Sequence, residues 1–111
     1  PQKHGYVYWI VNHNDEIMFE RRPENIMLGG MLGLPTSEWS EKKPEVIKGL
    51  KSTKLVVKHS FTHFDLTLEI YKGLHEKVTI LPENDPIWVR SSELSKMGLP
   101  TLFSKALKLM K

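Results

Sequence analysis

The run Gly5 to Asn12, GYVYWIVN, places six apolar or aromatic side chains in succession behind a glycine. An alternating pattern would turn one face to water. An unbroken run of aromatic and β-branched residues instead predicts a strand buried on both faces. A second strong signal lies further on: Phe64, Leu66, Leu68 and Ile70 alternate with Asp65, Thr67, Glu69 and Tyr71, which is the period-2 pattern of a strand with one face inward. Just before it, residues 54–58 also read as a strand, so the polar and aromatic HSFTH (His59 to His63) sits between two strand-like segments.

Other elements fall around these strands. The turn HNDE (His13 to Glu16) and the strand IMFERR (Ile17 to Arg22) make a hairpin with the first run. PENIMLGGMLGLP follows, an ordered loop or broken short strand punctuated by Pro23, Gly29, Gly30, Gly33 and Pro35. Its Ile26, Met27, Leu28, Met31, Leu32 and Leu34 are too apolar for a free linker. Ser37 to Ser40 reads as a turn. Pro44 opens an expected short helix over PEVIKGLKS with Val46, Ile47 and Leu50 inward; Gly49 weakens it by about 1 kcal/mol relative to alanine. KGLHEK turns the chain, DPIWVR (Asp85 to Arg90) is a short strand with Trp88 buried, and SSEL can begin a helical turn. Pro100 opens a last helix with Leu102, Phe103, Ala106, Leu107 and Met110 on one face. The sum is an α+β fold, mixed strands around two helices, in one domain spanning residues 1–111.

A chain of 111 residues supports one hydrophobic core without disulfide or metal staples. Cysteine is absent, which excludes disulfides, thiolate nucleophiles, Cys-ligated zinc and iron–sulfur clusters from this chain and fits an intracellular origin. No apolar run approaches the ~20 residues that span a bilayer, and no signal-peptide pattern opens the chain. The start at Pro1 with no Met points to an excised piece of a longer protein or to a processed chain, and excision is the expectation. The net charge of +3 is less informative than its distribution. Six lysines (Lys42, Lys43, Lys48, Lys51, Lys54, Lys58) stand between Trp39 and His63 against Glu41 and Glu45, and four lysines follow Gly98 or just precede it with no acid among them (Lys96, Lys105, Lys108, Lys111). Such clusters hold phosphates in nucleic-acid binders and are solvated faces on many other domains.

Motifs of catalysis are sparse. There is no G-x-S-x-G elbow and no phosphate-binding loop with its lysine. LGGMLGLP has glycines that can expose backbone N–H groups to an anion, or that simply let the loop pack closely. Arg21 and Arg22 end a strand, where they can reach a phosphate or stand solvated. His59 and His63 have the i, i+4 spacing of a helical metal pair, but the surrounding alternation makes a helix unsuitable there, so no metal is expected.

Taken in order, ERRP, LGGMLGLP, HSFTHFDLTLEIY, WVRSSELSKMGLP and a final helix with SKAL resemble the C-terminal domain of the MutY family of adenine DNA glycosylases, from about Gly5 to the last helix. The resemblance implies a Nudix-like mixed β-sheet with helices packed against it. Nudix hydrolases carry a glutamate-rich R-E-x-x-E-E helix after their glycine loop. Here the corresponding Glu38, Glu41 and Glu45 are scattered among lysines, so the resemblance implies no catalytic residues in this chain. It implies a non-catalytic domain that recognises 8-oxoguanine opposite adenine in base excision repair. The F-S-H of the family's loop matches Phe61, Thr62 and His63, which would be lesion-binding, with His59 and Ser60 as loop support and Lys54, Lys58, Arg21 and Arg22 as phosphate contacts. Thr62 departs from the family's usual serine; the hydroxyl survives with an added methyl. The resemblance further implies double-stranded DNA and the glycosylase's own catalytic domain as partners, repair or replication proteins besides, no cofactor in this chain, an iron–sulfur cluster in the absent N-terminal domain, and a bacterial cytoplasmic, DNA-associated setting. Two alternatives stay open: an active Nudix hydrolase of a damaged nucleotide, and a protein-interaction module without lesion specificity.

Overall fold

A computed structural model describes residues 1–78 and 85–111. Strand β1 (Gln2–Val11) is followed by β2 (Glu16–Arg21), a two-residue β3 (Leu32–Gly33), the long pair β4 (Lys51–Ser60) and β5 (Asp65–Leu74), a short β6 (Ile87–Arg90) and helix α1 (Thr101–Leu109). Short 3-10 helices occupy His75–Lys77 and Ser91–Lys96. The sheet runs β3-β2-β1-β5-β4, with β6 paired to β2. Among the described residues, no helix is long and apolar enough to cross a membrane.

The aromatic run sits at the centre of this sheet. β1 pairs in parallel with β5 in continuous register from Gln2↔Asp65 to Val11↔Leu74. Its other edge meets β2 only at Val11↔Ile17, because β2 turns away to pair with β6 and β3. Residues 35–40 fill the vacated edge. Tyr8 N donates to Pro35 O (2.9 Å), Ser37 N to Tyr6 O (2.9 Å), and Ser40 N to His4 O (3.1 Å). The expected turn at Ser37–Ser40 is therefore an extended segment pinned along β1, an arrangement that satisfies β1 amides which would otherwise be buried without partners.

Alternate side chains of β1 enter two cores, as the unbroken run demands. Val7 and Trp9 join Phe19, Leu34, Leu66, Leu68, Ile70 and the inner face of α1, formed by Leu102, Phe103, Ala106 and Leu107. Tyr6, Tyr8 and Ile10 join Met18, Leu50 and Tyr71 on the opposite face. α1 forms as its spacing predicts. Pro100 precedes its first turn, and the amides of Phe103 and Ser104 both donate to Pro100 O (3.0 and 3.1 Å). Phe103, fully buried, presses on Gly33 so closely that a Cβ there would stand 2.5 Å from its ring. One glycine of LGGMLGLP thus serves close packing against the helix.

The second expected helix does not form. Residues 44–47 are irregular, and the chain turns at Lys48 and Gly49 before β4 begins. Only two side chains are needed to cover this part of the second core: Leu50 is buried and Ile47 packs beside it, while Val46 is 55% exposed. Gly49 takes φ +96°, a left-handed conformation that no helix contains and that glycine adopts at little cost. Trp88, expected in the core, is half-buried against the His75 ring, 5.0 Å away. β5 also continues through Lys72–Leu74, where a turn was expected.

Alanine at Gly49 would place its Cβ 2.2 Å from the Lys77 carbonyl oxygen as well as straining φ. Gly49→Ala should therefore lose more than about 1 kcal/mol of stability, whereas Gly98→Ala, whose Cβ meets nothing within 4 Å, should change it by less than about 0.5 kcal/mol. Urea unfolding of the two variants checks the contrast.

Candidate nucleic-acid interface

HSFTH forms the end of the β4–β5 hairpin. Ser60 pairs with Asp65, and Phe61 N donates to Phe64 O (2.9 Å), which closes the loop at its base. Thr62 and His63 are left as the tip, both exposed and neither at positive φ. Ser60 is exposed at the end of β4.

The tip rests on an aromatic stack. The Phe61 ring lies 5.0 Å from Phe64 and 6.0 Å from Trp39, nearly parallel to the latter at 26°. His59 meets Phe61 edge-on at 4.8 Å. Two cations extend the stack: Lys3 Nζ lies 4.4 Å from the Phe64 ring centroid, and the Arg22 guanidinium 4.7 Å from that of Trp39. Phe61 is half-buried and committed to these neighbours, so it props the tip rather than standing free as a stacking surface. Each aromatic pair of this geometry contributes about 0.5–1.5 kcal/mol beyond area burial, enough in sum to hold a short exposed tip in one conformation.

Arg22 is not a phosphate contact. It is 6% exposed, one residue past the end of β2, whereas Arg21 is exposed. Its Nε donates to Met27 O (2.8 Å) and its Nη1 to Thr36 Oγ1 (3.4 Å). Its own backbone closes the glycine loop, with Arg22 N donating to Met31 O and Gly30 N to Arg22 O. Burial lowers its pKa, which the nearby Glu20 partly offsets. Arg21 is exposed and donates to Gly30 O (3.3 Å).

Lys54 and Lys58 are exposed on β4, the edge strand. Lys54 lies in a bulge where the register jumps between Ser52↔Tyr71 and Val56↔Glu69, and it takes φ +66°. Ser52 and Thr53 side chains satisfy the bulge: Ser52 Oγ bonds the Glu69 carboxylate, Thr53 Oγ1 donates to Ile70 O (2.8 Å), and both oxygens accept amides of the bulge. Lys58 stands four residues nearer the tip, about 13 Å along the strand.

The sequence showed Lys105 only as one of a C-terminal group of lysines, with nothing to link it to the hairpin. From α1 its Nζ donates to Lys58 O (2.8 Å) and sits 3.0 Å from His59 Nδ1, tying the helix to the hairpin. Only the packing of α1 beside β4 brings these residues together. Burial, and after it the Lys105 charge, hold the His59 imidazole below its ordinary pKa, so its Nδ1 accepts from the ammonium in the neutral form.

A cleft of about 740 Å³ opens beside the stack, lined by Trp39, Phe64, Lys3, Arg22, Tyr8 and Met27 among others. Burial pushes the Tyr8 hydroxyl up to about 12, so it stays protonated. The carboxylates of Glu38, Glu41 and Glu45 are exposed along a segment without helix. Among the described residues, no three His, Asp or Glu side chains converge to hold a metal ion.

Arg22→Met should cost about 1.5–3 kcal/mol, the range for hydrogen bonds to a charged group, with Arg22→Lys restoring only part because one ammonium cannot reproduce the planar fork; chemical denaturation of both variants measures this. His59 yields a pH prediction. Because its folded pKa is lowered, the unfolded chain takes up the proton first, so its contribution is complete above about pH 6.5 and is lost as pH falls through the lowered value. The difference in melting temperature between the wild type and His59→Gln should shrink on acidification from about pH 7.5 to about pH 5.

A NUDIX domain family model matches residues 6–109. No curated protein sequence matches the chain significantly. Solved structures share its fold. The MutT protein from Methanosarcina mazei Go1 superposes with a TM-score of 0.74 at 19% identity, covering 98% of this chain and 92% of that one. The MutT NUDIX hydrolase from Burkholderia pseudomallei does so with 0.69 at 16% identity, over 100% and 99% of the two chains. The C-terminal domain of mouse MUTYH, solved in complex with human PCNA, gives 0.68 at 12% identity over 99% and 88%. These identities carry the fold alone, and that fold is the Nudix α+β sheet described above. With the family model spanning nearly its whole length, the chain belongs to the NUDIX domain family.

Proposed function

We propose that this chain is the non-catalytic lesion-recognition domain of an adenine DNA glycosylase, reading 8-oxoguanine opposite adenine through the tip of the β4–β5 hairpin. The observation that carries the proposal is the exposed Thr62–His63 pair held on a stack of Phe61, Phe64 and Trp39. A base-reading group must be accessible and must also hold its position, and this tip meets both needs.

The chemistry suits the lesion. On its Hoogsteen edge guanine presents acceptors at N7 and O6. Oxidation makes N7 a donor and adds an oxygen at C8. The hydroxyl of Thr62 can accept the N7 proton or donate to an oxygen, and the His63 imidazole adds a second polar group beside it. The same hydroxyl can rotate to donate to the N7 of normal guanine, so discrimination through it is modest, about 1–3 kcal/mol by analogy with a good base contact.

The superposition on the mouse MUTYH C-terminal domain over nearly the whole chain supports this reading, as does the order of motifs from ERRP to SKAL. In it, the partners are lesion-bearing duplex DNA and the glycosylase's own catalytic domain, which would carry the iron–sulfur cluster. The complex of the mouse domain with PCNA supports a replication or repair protein as a further partner. MutT proteins superpose equally well, so fold alone does not choose between recognition and hydrolysis. The carboxylates favour recognition. Mg²⁺ hydrolysis of a nucleotide needs oxygens clustered at about 2.0–2.1 Å from one ion, and Glu38, Glu41 and Glu45 are spread along an exposed, non-helical stretch.

Amide chemical-shift titration with matched duplexes, one holding 8-oxoguanine:adenine and one guanine:adenine, tests the proposal. Larger shifts at Thr62 and His63 with the lesion are expected; equal shifts would sink it. In the intact glycosylase, Thr62→Ala should cut lesion preference by about 1–3 kcal/mol while leaving the melting temperature of this domain nearly unchanged. Mg²⁺-dependent release of pyrophosphate from 8-oxo-dGTP by the wild-type chain would instead establish the hydrolase.

A further inference from the structure

A polar groove of about 590 Å³ runs beside the hairpin, lined by Gln2, Lys58, His59, Asp65, Thr67 and Lys105 among others. It contains a cation in an unusual state. Lys105 Nζ spends two of its three N–H donors on neutral acceptors, Lys58 O at 2.8 Å and His59 Nδ1 at 3.0 Å. No carboxylate among the described residues lies within ion-pair distance of it. The side chain is half-buried, so water screens its charge only in part. The exposed ammonium of Lys58 belongs to the same groove. Asp65, the acid in the groove, accepts from Gln2 Nε2 (3.3 Å), and it lies on β5 across from Ser60.

We infer that Lys105 and Lys58 form a phosphate seat at the root of the β4–β5 hairpin, which holds a backbone phosphodiester of the nucleic acid whose base is read at the tip. Two fixed contacts aim the Lys105 ammonium and leave its third donor for a phosphate oxygen. A lysine binds phosphate as a point charge, and fixing that charge beforehand reduces the ordering cost of binding. Lys58 and Thr62 are four residues apart, about 13 Å at most along the strand. Duplex DNA carries a phosphate for every ~1.7 Å of axis counting both strands, so one falls within reach of the seat when the tip meets a groove. His59 is a positioning residue here. It anchors the ammonium and props Phe61 (4.8 Å), which couples the phosphate contact to the reading tip.

The seat rests on the DNA-binding reading but not on lesion preference, so an undamaged duplex tests it. Lys105→Gln keeps a donor for Lys58 O and removes the charge; Lys105→Arg keeps the charge. With the wild type, an undamaged duplex should shift the Lys105 Cε and His59 ring signals, and the bound anion should raise the His59 titration midpoint. Lys105→Gln should lower the salt slope of binding by about one, which reduces the loss of affinity between about 50 and about 200 mM salt by about threefold. Lys105→Arg should retain the wild-type slope. An unchanged slope in Lys105→Gln, or duplex shifts that spare Lys105 and His59, would overturn the seat. So would a response of these signals to inorganic phosphate with none to duplex, which would make the groove a free-anion site. Equal shifts at Thr62 for lesion and normal duplexes, with the slope change intact, would remove the lesion reading and leave the seat standing. Retained lesion preference with an unchanged slope would do the reverse.

Discussion

The parallel pairing of β1 with β5 over ten residues governs the rest of this molecule. A parallel pair is stable where both of its faces are covered, and the unbroken apolar run of β1 leaves no polar face to turn outward. One cover is α1, whose Leu102, Phe103, Ala106 and Leu107 meet Val7 and Trp9. The other is a smaller cluster in which Leu50, Tyr71 and Met18 close over Tyr6, Tyr8 and Ile10. The pairing also sets where the β4–β5 hairpin stands. Because Gln2 lies opposite Asp65, the β4–β5 loop emerges at the N-terminal end of β1, beside the edge that residues 35–40 occupy.

That placement lets the core hold the loop. Arg22 is the link. Buried at the end of β2, it bonds the glycine loop and Thr36, and its guanidinium lies against both Trp39 and Phe103. Trp39 in turn stacks on Phe61 at the hairpin base. A continuous chain of contacts therefore runs from α1 through Arg22 and Trp39 to the residue beneath Thr62. Lys105 makes a second connection from α1 to the other side of the hairpin through Lys58 O and His59. The tip is short and exposed, yet it is braced from two sides by the same helix.

The same sheet serves proteins named as MutT hydrolases and the C-terminal domain of mouse MUTYH, so function in this family follows the side chains placed on the scaffold. Hydrolysis requires carboxylates gathered on one surface. In this chain residues 35–40, after the glycine loop, are instead laid along β1, where their backbone completes the sheet, and Glu38, Glu41 and Glu45 stand exposed on a stretch without helix. The polar groups that do converge are at the hairpin and on the face of α1 beside it. They are hydroxyl, imidazole and ammonium, groups suited to base edges and phosphates.

Period and composition were sufficient for the elements whose signal is local. GYVYWIVN named its strand and its two-sided burial; DLTLEIY fixed the inward face of β5; Pro100 and the apolar spacing behind it set α1. The strand-like segments on either side of HSFTH marked it as the junction between β4 and β5. Other features depended on distant partners. Pro44 to Ser52 has a helix-like spacing, but a site for two side chains on the second core and the left-handed Gly49 decided against a helix. Arg21 and Arg22 are the same residue type in adjacent positions, and only the path of β2 over the core determined which guanidinium was buried. Lys105 and His59 are 46 residues apart with no pattern linking them. The sequence alone determined which segments could be strand or helix, because hydrogen-bond geometry repeats along the chain and side-chain polarity follows that repeat. Tertiary structure alone decided which charges were buried, paired or left exposed, because the field at a side chain is set by neighbours that packing brings from elsewhere in the chain.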